Sequence, residues 1–359
     1  MNKLLIFILF LPVYIFTQDI ETEVNSIVQP FIESNKNTGI SVGFFEAGSD
    51  EPKMFFYGRV RKEDSVKPNE NTVYEIGAIT KTFTAALLMM MAREGKMQIT
   101  DPVQNYLPEM VTIHNFTSTE HIKLMHLVTH TSGLPRLPAN FTAKISNTDD
   151  PYKNYTTDDL NTYINNYILE REPGTRYEYS NLGFGLLGGL LTKASGLTYE
   201  NMLKQYITDS LGMTSTGISL TGDMTKNIAK GYSEKGEPRG SWSAGIFEGA
   251  VGIKSTIKDM MKYLAFNMGK TEVLDFKESA IVMQKRRFET NSPNIFIGMA
   301  WHISETPDGY QVIWHDGGTG GFTGFIAFMP EKNVGVVVLT NQASSVDEVG
   351  IKILKALNK

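Results

Sequence analysis

The sequence predicts an α+β fold: an antiparallel sheet built from both ends of the chain, flanked by terminal helices, with a large, mainly helical lobe inserted. Three observations lead there. Strand-like segments cluster near both termini, amphipathic helical stretches lie outside them, and the long middle is dominated by helix and loop signals. With 359 residues and 41% hydrophobic content, the chain has ample material for a buried core. We expect one domain over residues 19–359, with a sheet lobe at about 19–77 and 286–359 and a helical lobe at about 78–285.

The first element is a targeting segment. Lys3 supplies a positive start, Leu4 to Phe16 form an apolar stretch of 13 residues broken only by Pro12, and polar Thr17-Gln18-Asp19 follow. Roughly 20 apolar residues are needed to span a bilayer, so residues 1–18 read as a cleaved signal peptide rather than an anchor. Export then implies a periplasmic or secreted protein of the bacterial envelope. The chain has no cysteine, so neither a disulfide framework nor a thiol nucleophile is available. Asn-x-Thr sequons at Asn115, Asn140 and Asn154 are then chance occurrences. Its 34 basic and 39 acidic residues, net −5, include no run of like charge suited to nucleic acid or a membrane surface. Small-molecule or short-peptide partners fit better.

Glu21–Ser34 has helical spacing. Residues 39–47 and 53–60 read as a hairpin about Gly48-Ser49-Asp50-Glu51-Pro52. Near the other end, Phe296–Ile303, Gln311–Trp314, Phe322–Met329 and Val334–Thr340 read as strands, with Pro330–Asn333 as a turn, and Val346–Leu357 as a closing helix.

In between, Ile79–Glu94 carries Phe83, Ala86, Leu87, Met90 and Met91 at helical spacing, and Gly95 supplies the stop. Ala78 and Lys81 are three residues apart and so project from one side of its first turn, where the helix dipole is positive. A nucleophile at position 78 would have Lys81 near enough to take its proton. The plain alternative is a solvated surface lysine.

Farther on, a turn signal at Pro173-Gly174 precedes Tyr179-Ser180-Asn181 and another apolar helix from Gly183. Tyr179 could act as general acid or base if a neighbouring cation lowered its pKa, and Asn181 could hold a substrate amide or the lysine. Otherwise Tyr179 is a core aromatic and Asn181 a helix N-cap. The third segment, His315-Asp316-Gly317-Gly318-Thr319-Gly320-Gly321, follows a strand. Its glycines let a substrate approach the backbone and leave the Gly318 N–H free to meet it. It lacks the lysine and Ser/Thr of a phosphate loop and opens no helix.

Together, in this order, these segments resemble the serine β-lactamase and penicillin-binding-protein superfamily, in its class C, DD-peptidase and family VIII esterase branch. Ala78-Ile79-Thr80-Lys81 matches Ser-x-x-Lys except at its first residue, Tyr179-Ser180-Asn181 matches Tyr-x-Asn, and His315-Asp316-Gly317 matches the Lys/His-Thr/Ser-Gly strand motif. The stretch His126–Pro135 is also family-like, and the resemblance covers about residues 25–355. It implies acyl transfer without a cofactor. A serine at position 78 would attack a carbonyl, Lys81 and Tyr179 would shuttle its proton, Asn181 would orient substrate, and the N–H groups of residue 78 and Gly318 would form the oxyanion hole.

The chain departs from the family twice. Alanine has no nucleophile, and loss of the serine in a comparable hydrolase costs on the order of 10⁶ in turnover. Thr80 is no substitute, because it points about 200° away around the helix. The partner residues all remain, which favours an engineered inactive variant over a natural pseudoenzyme or peptidoglycan-peptide receptor. Asp316, moreover, stands where relatives that grip a β-lactam carboxylate carry Thr or Ser. Two like charges about 4 Å apart, at an effective dielectric near 20, repel by about 4 kcal/mol. His315 is also a weaker anchor at neutral pH than a lysine. A peptidase, amidase or esterase is therefore expected over a true β-lactamase. His126 and His130, four apart, could share a helical face as zinc ligands, but the glutamate of H-E-x-x-H and a third ligand are missing, so loop packing is the better expectation.

Overall fold

A computed structural model describes residues 20–35, 38–117, 120–271 and 274–358. The proposed signal peptide, residues 1–18, lies outside the described residues.

The sheet is antiparallel and draws on both chain ends. Its strands are β1 (Ile40–Phe45), β2 (Lys53–Tyr57), β3 (Phe288–Glu289), β4 (Phe296–Ile297), β5 (His302–Glu305), β6 (Gln311–Gly318), β7 (Thr323–Met329) and β8 (Val334–Thr340). They lie in the order β2-β1-β8-β7-β6-β5-β4-β3, so the first hairpin docks beside the last strand, with Ile40 opposite Thr340. Helices α1 (Ile20–Ser34) and α6 (Asp347–Leu357) cover one face. Val24, Val28 and Ile32 of α1 meet Ile40, Val42 and Phe44, together with Val336, Val338 and Ile353. On the other face lie α2 (Thr80–Arg93) and α5 (Ile257–Asn267). Gly43 lets α5 come close, since a Cβ there would stand 2.6 Å from the Met261 sulfur. The central strands are thus buried on both faces, and their sequences run apolar instead of alternating.

Two further helices matter to the site, α3 (Leu124–Val128) and α4 (Asn181–Ser195). The latter ends at Gly196, whose φ of 72° suits glycine.

One expected strand is two. Phe296–Ile303 divides into β4 and β5, which pair with each other as a hairpin. Gly298 N–H donates to the Trp301 carbonyl at 2.7 Å, and Ala300 takes a φ of 65°. A left-handed alanine leaves no turn signature in the sequence, so the apolar run Met299-Ala300-Trp301 looked continuous.

Candidate active site

Ala78 does not begin the helix directly. It sits in a single tight turn, Gly77–Ile79, that runs into α2. This turn is pressed backbone to backbone against β6. A Cβ on Gly77, where φ is 51°, would lie 2.5 Å from the Gly318 nitrogen, and one on Gly317 would lie 2.1 Å from the Ile76 carbonyl oxygen and 2.9 Å from the Ala78 nitrogen. Only glycine fits at either position. Their absence of side chains brings the amides of Ala78 and Gly318 to one place, the arrangement an oxyanion hole requires.

Lys81, on the first turn of α2, is fully buried and not a surface charge. Its Nζ donates to the Ala250 carbonyl at 3.0 Å and lies 4.9 Å above the Tyr179 ring. Burial drives its pKa well below the ordinary lysine value and Arg136 adds to this, while Asp316 opposes. Tyr179 moves the other way. Burial pushes its phenol well above the usual value, Asp316 and Tyr177 reinforce this, and Arg136 offsets only part. The condition set for Tyr179, a net pKa lowered by a neighbouring cation, is therefore not met, because desolvation outweighs the Arg136 charge. The phenol therefore holds its proton more tightly than a free tyrosine, and Lys81 holds its own less tightly than a free lysine.

The Tyr179–Asn181 turn is held from below. The Ser180 hydroxyl caps α4 by accepting the Gly183 N–H at 2.9 Å, so Asn181 is not the N-cap but lies inside the first turn. Asn181 Nδ2 donates to the Tyr152 hydroxyl at 3.2 Å, and its Oδ1 has no partner. Beneath lies His130, whose Nδ1 accepts the Ser180 N–H at 3.0 Å and whose carbonyl accepts the Glu178 N–H at 2.7 Å. His130 has a φ of 56° beyond the end of α3, so it does not continue the helical face of His126. Among the described residues no group of three or more His, Cys, Asp or Glu is placed to hold a metal.

Thr80 is likewise occupied, its hydroxyl accepting the Ile253 N–H at 3.1 Å in the core.

A cleft of about 500 Å³ opens over these groups, lined by Ala78, Tyr179, Asn181, Asp316 and Gly318, with further walls from Arg136, Tyr152, Trp242, His302 and Trp314. Strand alternation explains the β6 contribution: Trp314, Asp316 and Gly318 share a face, whereas His315 and Gly317 point the other way. His315 is fully buried, does not line the cleft, and has a pKa lowered to about 3 by burial and Lys81. His302 presents the imidazole in the cleft instead, paired with the Tyr177 hydroxyl at 3.0 Å and stacked on Trp314. Sequence reasoning missed Arg136, Tyr152, Trp242 and His302. Of these only Arg136 adjoins a recognised stretch, ending at Pro135.

An antiparallel sheet covered by terminal helices, with a lysine, a tyrosine and two convergent backbone amides around a helix start, defines the serine acyl-hydrolase class. Comparison with known proteins narrows this. A family model described as Beta-lactamase matches residues 24–357. A β-lactamase of Yersinia enterocolitica is 30% identical over 90% of this chain and 87% of its own length. A D-alanyl-D-alanine-carboxypeptidase/endopeptidase of Escherichia coli K12 is 28% identical over 80% of this chain and 75% of its own length. A solved class C β-lactamase superposes with a TM-score of 0.82 at 26% identity, covering 97% of this chain and 99% of that one. The chain belongs to the β-lactamase family of serine hydrolases.

Proposed function

We propose that the cleft is built for acyl transfer from an ester or amide, that Ala78 stands at its nucleophile position, and that the chain as written is inactive or nearly so. The observation that carries this is the convergence of Ala78, Tyr179 and Gly318 on one cleft, with the buried Lys81 nitrogen 4.9 Å from the centre of the Tyr179 ring. In an Ala78→Ser form, the hydroxyl would give its proton to Lys81 as its oxygen bonds to the carbonyl carbon. The amides of residue 78 and Gly318 would hold the oxyanion. As the bond to the leaving group breaks, the Tyr179 phenol would protonate that group and recover a proton from Lys81. Water would then reverse these steps, releasing the acid and the free hydroxyl.

An ester or short D-amino-acid peptide is favoured over a carboxylate-bearing β-lactam. Asp316 lines the cleft, where it repels a carboxylate brought against β6, and His315 offers no cation in return. The peptidase relative supports the same branch. The intact Lys81, Tyr179 and Asn181 support an engineered replacement of serine. Ala78 itself keeps a second reading in play, a natural non-catalytic receptor for peptidoglycan-like peptides. The leader at residues 1–18 and the bacterial relatives support export to the periplasm or medium, and no helix of the described residues is long and apolar enough to cross a membrane.

The test is to compare the Ala78 chain with Ala78→Ser against a chromogenic ester, a D-Ala-D-Ala peptide, a β-lactam and a fluorophosphonate, reading adducts by intact mass. Labelling of the serine form alone is expected. No labelling and no turnover in either form would favour the receptor.

A further inference from the structure

The cleft carries two charged side chains that the acyl-transfer steps do not use. Asp316 lies on β6 two residues before Gly318, on the same strand face, so its Cα is about 6.6–6.8 Å along the strand from the oxyanion site. Among the described residues no salt bridge reaches its carboxylate, which acts on Lys81 and His302 only through space. Arg136 comes from the loop side of the cleft. It is exposed, its guanidinium lies 5.1 Å from the centre of the Tyr179 ring, and its carbonyl accepts the N–H groups of Asn181 and Leu182 at 3.0 and 3.1 Å. That double anchor ties Arg136 to the turn that carries Tyr179. The two charges therefore stand apart, one on the strand that supplies Gly318 and one on the turn that supplies the phenol, with aromatic rings of Tyr152, Trp242 and Trp314 also lining the space.

A ligand of a single sign satisfies one of these charges and leaves the other facing it unpaired as water is expelled, which is costly. A ligand bearing both signs satisfies both. A cation at Asp316 gains a charge-assisted hydrogen bond. A carboxylate at Arg136 gains the planar fork of the guanidinium. We infer that the cleft selects a short zwitterionic ester or amide, with its cationic group toward Asp316, its carboxylate toward Arg136, and its scissile carbonyl between them at Ala78 and Gly318. A short peptide or depsipeptide with both termini free has this layout. The inference rests on the acyl-transfer reading for its reactive carbonyl, but the charge preference concerns binding alone.

Both parts can be measured separately. Four matched short depsipeptides are used, with both ends free, the amine acetylated, the carboxylate amidated, or both ends blocked. Titrated calorimetrically into the Ala78 chain, which has no nucleophile at that position, the free-ended ligand is expected to bind tightest, with each block weakening binding about tenfold to a hundredfold. In the Ala78→Ser chain, kcat/KM should follow the same order. Asp316→Asn should erase the penalty for acetylation only, and Arg136→Gln the penalty for amidation only, with Asp316→Glu and Arg136→Lys retaining part of each. Thermal melts of every variant establish that it is folded. Affinities within threefold across the four ligands, or penalties that survive both substitutions, would overturn the inference. If the charge preference appears in binding while Ala78→Ser neither turns over a ligand nor reacts with a fluorophosphonate, the acyl-transfer reading fails and the zwitterion inference stands.

Discussion

A single methyl group at Gly317 should dismantle the oxyanion site without unfolding the protein. In Gly317→Ala the new Cβ would stand 2.1 Å from the Ile76 carbonyl oxygen, 2.9 Å from the Ala78 nitrogen and 3.0 Å from the Ile79 nitrogen. A close carbon–oxygen contact is about 3.3 Å, so β6 and the Gly77–Ile79 turn must separate by roughly 1 Å. All three obstructing atoms are main chain, so no side-chain rotation relieves the clash. The movement pulls the Gly318 amide away from the Ala78 amide. Misplacement of about 1 Å can cost on the order of 10²-fold, and loss of one oxyanion donor about 10²–10³-fold in kcat. The comparison is Ala78→Ser against Ala78→Ser/Gly317→Ala, with steady-state turnover of a chromogenic ester, circular dichroism and thermal melting. The double variant should lose at least a hundredfold in kcat and about 1–3 kcal/mol of stability from overpacking. Turnover retained within threefold would refute the proposed geometry.

Gly189, an exposed position on the largely buried α4, offers the opposite case, since an added Cβ meets nothing within 4 Å; Gly189→Ala should stabilise the fold by about 0.5–1 kcal/mol in denaturant titration, and a loss of stability would count against that open surface. His130→Ala removes the acceptor for the Ser180 N–H and leaves a void under Tyr179, so it should cost about 2–4 kcal/mol. His130→Asn, which tolerates the left-handed backbone and keeps an acceptor, should cost less, and equal losses would argue against the hydrogen bond. Acid should also weaken the fold. Burial holds His302 and His315 at about 3 and His130 well below its usual value, whereas the unfolded rings titrate near 6.5. Below pH 6.5 the unfolded chain takes up protons that the folded chain refuses, so this stability is full above 6.5 and is lost as pH falls toward 3. His302 and His315 each contribute a loss of about 1.3 kcal/mol between pH 7 and 5.5, and His130 adds to it in the same direction. Thermal melts over that window should decline, and a flat profile would contradict neutral buried rings.

The parts of this protein legible in sequence are those where local chemistry decides structure. β7 and β8 announce themselves because both are apolar runs joined by Pro330–Asn333, and Gly317 and Gly318 signal close backbone approach. The β4–β5 hairpin stays hidden because its turn depends on Ala300 in a conformation its composition does not advertise. The cleft walls are hidden for a different reason: tertiary contacts place them. Trp242 is positioned by Glu75, whose Oε1 accepts the Trp242 N–H at 2.8 Å from 167 residues away. His126 and His130 have the spacing of one helical face, yet the chain turns left-handed at His130 and sends its ring under the tyrosine instead.

Lys81 departs most clearly from what its position in the sequence leads one to expect, and that departure bears on Ala78. A lysine on the first turn of a helix is expected in water, whereas this one is enclosed with one carbonyl acceptor, the Tyr179 and Phe184 rings nearby, and a depressed pKa. Such burial weakens a fold, and an apolar residue of similar volume is often neutral or stabilising in its place. A chain long without a nucleophile would gain by such a replacement, and Tyr179, with its desolvated phenol, is under the same pressure. Both groups are nevertheless present, with the Lys81 nitrogen 4.9 Å from the centre of the Tyr179 ring. That is the physical ground on which we read Ala78 as an engineered loss in an otherwise assembled site. It also makes Lys81→Met informative: it should leave stability unchanged or higher while abolishing turnover in the Ala78→Ser background. A large destabilisation would instead give Lys81 a structural role and remove this reason to connect it with catalysis.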